Sequence, residues 1–145
     1  MYDAYLALGL AVMAANLIVG VIGGLAWRAE RISIAFWYLL RAAQIATLAF
    51  VLFEAFLYFD GRRADDGLHY LYIALPVVAS LLAEAMRGAS ASQELGETNF
   101  ARLDEKRQQE VALAIVRRET GVMTVACFVL AFLVWRAIET TAGMF

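Results

Sequence analysis

The chain has 145 residues, of which 63% are hydrophobic, with a mean hydropathy of +0.68 and a net charge of −2 from 12 basic and 14 acidic side chains. A soluble domain carries about 45–50% apolar residues, so the surplus excludes an ordinary water-soluble fold. The charge balance leaves no basic excess for nucleic acid, and the single cysteine, Cys127, excludes an internal disulfide or paired-thiol chemistry.

The first apolar run covers residues 5–26. A hydrocarbon core about 30 Å thick takes about 20 helical residues, so this run is long enough to cross a bilayer. It is not a cleavable signal, because Met1-Tyr2-Asp3 supplies no basic leader and the run is too long. Gly9, Asn16, Gly20, Gly23 and Trp27 fall on one helical face, and Gly20 with Gly24 forms a small-xxx-small pair. Helices in lipid associate through such small residues, so this face is expected to be a helix contact.

The second run, 34–58, carries Arg41 and a face of Gln44, Thr47, Glu54 and Tyr58. A short charged connection follows, with Arg62 and Arg63 among Asp60, Asp65 and Asp66. The third run, 68–86, aligns His69, Tyr72, Pro76, Ser80 and Arg87, with Glu84 beside them. Pro76 is expected to bend it, freeing the carbonyl near Tyr72. Small polar residues and Gly96 then interrupt the pattern. From Phe100 onward, Leu103, Val111, Ala114 and Ile115 recur near a 3.6-residue period opposite Glu105, Lys106, Gln109 and Arg117. The pattern predicts an amphipathic helix over residues 100–118, running into or hinging at Gly121. The fourth run is 121–138, with a weaker stripe of Thr120, Gly121, Thr124 and Cys127.

The fold class expected is all-α: one integral membrane domain over 1–145, a four-helix bundle with an extra amphipathic cytoplasmic helix before the last span. Basic residues mark the cytoplasmic side of a membrane protein. Placing the first and third connections inside puts eight basic residues there against three outside. Both termini then face away from the cytoplasm, and a plasma membrane location is expected.

A charge at the bilayer centre costs about 2.5–3.5 kcal/mol on insertion scales, so the polar residues of the spans need partners. Depth groups them into an inner cluster of Arg41, Gln44, Glu84 and Arg87, and an outer cluster of Glu54, Tyr58, His69 and Tyr72. Arg41–Glu84 and Glu54–His69 are the expected pairs. Most pairs of this kind are interhelical hydrogen-bonding contacts. A proton-carrying role for Glu54 with His69 is the sharper alternative, since histidine titrates near neutrality.

No nucleophile–base set, metal-ligand cluster or phosphate loop is present in the sequence. The reading that follows is a non-catalytic accessory, assembly or partner-binding membrane subunit, its partners being the lipid bilayer and a homo-oligomer or larger membrane complex. One alternative is an oligomeric small-ion or solute transporter using Glu54 and His69. Another is a haem-binding redox protein with His69 as ligand, completed by Met13, Met86 or a second copy's His69. No metal or other cofactor is expected.

Overall fold

The computed structural model describes residues 1–96, 99–143 and 145; it is all-helical, with 84% of residues in helix and no strand among those described. Four helices are long and apolar enough to cross a membrane. They are α1 (Tyr2–Arg28), α2 (Ile34–Phe59), α3 (Leu68–Leu95) and α4 (Glu105–Glu139), with a 3-10 turn at Phe100–Arg102. Residues 97 and 98 of the third connection lie outside the described residues.

Short turns force antiparallel neighbours. After α1 the N–H of Arg31 returns to Ala26 O (3.1 Å) and that of Glu30 to Trp27 O (3.2 Å). This closes the last turn through a left-handed residue, Glu30, at φ 53°. The end of α2 uses the same closure with Gly61 at φ 86°, where a glycine carries no steric cost. Ser33 caps α2 by accepting the Phe36 N–H at 3.2 Å.

The packing faces follow a seven-residue repeat. Buried positions are 5, 9, 12, 16, 19, 23 and 26 in α1, with Gly20 beside them, and 36, 40, 43, 47, 50, 54 and 57 in α2. In α3 they are 69, 76, 83 and 90, and in α4 they include 120, 124, 127, 131, 134 and 137. Alternating steps of four and three residues define the seam of a left-handed bundle. Outside the seam the surface is as apolar as the core: Ile45 is 69% exposed and Leu81 67%. In water that surface would aggregate; in hydrocarbon it is the solvated face.

Two apolar clusters make the core. One holds Val19, Phe36, Leu40, Ala83, Met123 and Cys127 at the end opposite the termini. The other holds Tyr5, Val12, Phe50, Leu57, Val134 and Ala137 at the termini end. A polar layer lies at the level between them: the Asn16 amide nitrogen donates to Thr47 Oγ1 at 3.0 Å and to Val12 O at 3.0 Å. The glycines of α1 lie against side chains of the neighbouring helices. A methyl at Gly9 would lie 2.8 Å from Ile138, and one at Gly20 would meet the Phe128 ring at 3.1 Å. At Gly23 it would collide with Phe36 and Thr124, whereas at Gly24 the nearest atom is 3.7 Å away. Gly9, Gly20 and Gly23 are therefore at close-approach positions, and Gly24 is not.

The separate amphipathic helix expected over 100–118 is not a separate element. Only Phe100–Arg102 form a short turn, and from Glu105 the chain runs without a break through Gly121. The Gln108 side chain ties that turn to α4 by donating to Leu103 O (3.0 Å) and Phe100 O (3.2 Å). No hinge forms at Gly121 because its open side is filled by the Trp27 indole, 3.0 Å from where a Cβ would stand. Likewise α3 does not stop at 86. Ser90 and Ser92 turn their hydroxyls back onto Met86 O and Ala89 O, and the helix ends only at Gly96, φ 55°. Pro76 sits within continuous helix on the buried face.

At 35 residues α4 is about 52 Å long, well beyond the hydrocarbon thickness. Its first turns and the last turns of α3 therefore form a projecting stalk. Arg118 pairs with Glu94 (3.2 Å), Arg117 with Glu30 of the α1–α2 turn (2.9 Å), and Arg87 with Glu119 (3.8 Å).

Candidate functional site

Among adjacent helices, α2 and α3 are packed least closely, and polar side chains bridge them at two levels. Toward the stalk, Glu84 is the hub. Its Oε1 accepts from Arg41 Nη1 (2.6 Å) and from Gln44 Nε2 (2.9 Å), while Oε2 accepts from Arg87 Nε (2.8 Å). Arg41 Nη1 also donates to Gln44 Oε1 at 2.6 Å. Arg41, Gln44, Glu84 and Arg87 thus form one network in which each guanidinium has a carboxylate within reach. Arg87 extends it to Glu119 of α4, a partner that linear depth counting does not reveal.

Glu84 alone satisfies three donors, so its removal should cost more than removal of any one donor. A Glu84→Leu variant should lose about 1–3 kcal/mol, while Arg41→Leu/Glu84→Leu together should lose less, because no guanidinium of Arg41 is then stranded. Thermal melting of both in the same detergent measures this; equal losses would contradict the network.

Near the termini, Glu54 Oε2 lies 3.3 Å from His69 Nε2, and the two side chains are 3% and 0% exposed. His69 Nδ1 lies 3.1 Å from Ala137 O and 3.2 Å from Thr140 Oγ1, so α4 closes the site. A carbonyl can only accept, which places a proton on Nδ1. Among the described residues, the second carboxylate oxygen, Oε1, has no hydrogen-bond partner, nor does the hydroxyl of Tyr5, which lies against this carboxyl.

Tyr58 and Tyr72 do not join the pair. Tyr58 packs edge-on against Tyr70 and beneath the Arg63 guanidinium. Tyr72 turns its ring to Arg136, whose guanidinium carbon is 5.3 Å from the ring centroid. Both phenols stay near the apolar–polar boundary, where cations are available and desolvation is incomplete. Tyr5, Thr140 and the Ala137 carbonyl take their places around Glu54 and His69. Only the position of Tyr5 on the face of Gly9 and Asn16 hinted at this in the sequence. Ala142 and Phe145 lie over the same end: Asp65 N–H donates to Ala142 O at 2.9 Å, and the Phe145 ring is 5.5 Å from the Tyr5 ring.

The donor set does not fit haem iron. Both nitrogens of His69 are committed to protein groups, and Met86 lies toward the stalk end. Among the described residues, no three His, Cys, Asp or Glu side chains are arranged to hold a metal ion.

Fold and site define a four-helix membrane protein clamped by buried and interfacial polar groups. No family model, curated protein or solved structure matches the chain.

Proposed function

We propose that this chain is a non-catalytic subunit of a plasma-membrane complex, with its termini on the non-cytoplasmic side and the α3–α4 stalk in the cytoplasm as its partner-binding element. The observation that carries the reading is the braced stalk. An uninterrupted helix extends beyond the span and is held by three ion pairs to α3 and the α1–α2 turn. A stiff projecting helix pair loses little conformational entropy on binding. Leu113, half exposed on the stalk, offers an apolar anchor beyond the membrane-spanning length.

The polar residues of the spans support the same reading. Arg41 is engaged with Glu84 and Glu54 with His69, and the second pair is closed off from the surface. A transporter would need that pair accessible from at least one side. The excess of arginine and lysine in the first and third connections supports the orientation.

A photo-activated cross-linker at Leu113 in native membranes should yield one recurrent cross-linked species containing a second polypeptide. The same group at lipid-facing Ile45 should yield none. Only uncross-linked chain from both positions would remove the proposal.

A further inference from the structure

Between α3 and α4, at the base of the stalk, lies an apolar cleft of about 800 Å³. Trp27 forms part of its wall, Ala79, Ala83 and Ala126 leave the space, and Arg117, Arg118 and Glu94 stand at its mouth. On α4 the lining runs from Ala114 to Val129, about 22 Å of helix, with Arg117 and Arg118 one turn from its first residue. That is a channel of acyl-chain length with guanidinium groups at one end. If Trp135 marks one membrane interface, Arg118 lies about 25 Å away along α4, near headgroup depth on the opposite side.

We infer that this cleft binds one anionic glycerophospholipid, with an acyl chain between α3 and α4 and its phosphodiester at Arg117 and Arg118. The headgroup is uncharged beyond the phosphate, as in a phosphatidylglycerol. Charge at the mouth decides between lipids. The nearby carboxylates are engaged, Glu94 by Arg118 and Glu30 by Arg117, so the ammonium of a zwitterionic headgroup would have to compete with a guanidinium for them. Each guanidinium presents five N–H donors, and its ion pair is made through one nitrogen, Nη1, so donors remain for phosphate oxygens. The two arginines are 53% and 46% exposed, open to a ligand arriving from the bilayer. This inference is independent of the stalk's proposed partner.

The test is native mass spectrometry of the full chain in mild detergent, with added phosphatidylglycerol or phosphatidylcholine of identical acyl chains. One phosphatidylglycerol per chain should be retained in preference to phosphatidylcholine. The preference should fall about fivefold for each arginine removed, the effect of one basic side chain at an anionic surface, so Arg117→Ala/Arg118→Ala should largely abolish it. Glu30→Gln/Glu94→Gln, which releases both guanidiniums, should strengthen it. This second variant moves the reading in the opposite direction and so separates binding from misfolding. Ala79→Phe, which fills the cleft, should reduce retention of both lipids. Equal retention of the two lipids by the unaltered chain would overturn the inference, as would an unchanged preference in the glutamine variant or a cleft-filling variant that binds normally.

Discussion

His69→Leu should lower the stability of this protein by about 3–5 kcal/mol, the cost of leaving one member of a buried polar pair without its partner. Glu54 is 4% exposed and one of its oxygens already lacks a hydrogen bond. Taking away the imidazole removes the partner of the other oxygen as well, and leaves the Tyr5 hydroxyl as the donor that lies against the carboxyl. The Ala137 carbonyl and Thr140 hydroxyl also lose their contact with His69 Nδ1. The double variant His69→Leu/Glu54→Leu should regain much of the loss, because an apolar pair needs no partner and α2 and α3 keep their apolar contact. Melting in detergent, followed by circular dichroism, compares the two. A double variant no more stable than the single would show that the pair contributes net attraction, and the stranded-group account would fail.

Gly23→Val should cost about 3 kcal/mol, at the upper end of overpacking, while Gly24→Val should stay within about 0.5 kcal/mol. The two glycines adjoin in one apolar span, so insertion energy and helix propensity cancel in the comparison. What differs is the wall each faces. Gly23 meets the Phe36 ring, itself wholly buried, and the Thr124 hydroxyl; Gly24 has a methyl of Thr124 at 3.7 Å and room beside it. Phe36 cannot turn away without displacing Leu40 and Met123 in the same cluster. Equal melting temperatures for the two valine variants would mean that α1 does not approach its neighbours through Gly23.

The seven-residue seam is written in the sequence but hard to read there. Phe36, Leu40, Ala43, Phe50 and Leu57 face the core, while Ile45, Leu48, Leu52 and Phe56 face outward, and both sets are apolar. In a soluble bundle the outward set would be charged and the repeat obvious. Lipid removes that contrast. The polar residues kept some of it: Thr47 and Glu54 are seven apart. Tyr58 and Tyr72 illustrate the opposite difficulty. Each lies about one turn from Glu54 or His69 along its own helix, yet cations in the boundary region hold both phenols elsewhere. Helix ends were similarly obscured. Small serine- and alanine-rich stretches such as 88–92 carry little apolar periodicity, but their hydroxyls satisfy carbonyls of the same helix and let α3 continue.

Span number, the all-helical class and the need for partners at Arg41, Glu54, His69 and Glu84 follow from composition and length alone. They depend only on the cost of placing backbone and charge in hydrocarbon. Tertiary structure decided which atoms meet those needs, Glu119 for Arg87 and the α4 carbonyl and Thr140 for His69, and it packed the Trp27 indole against Gly121. Those contacts join residues 32 to more than 90 positions apart, and no local pattern carries the rotation of one helix against another.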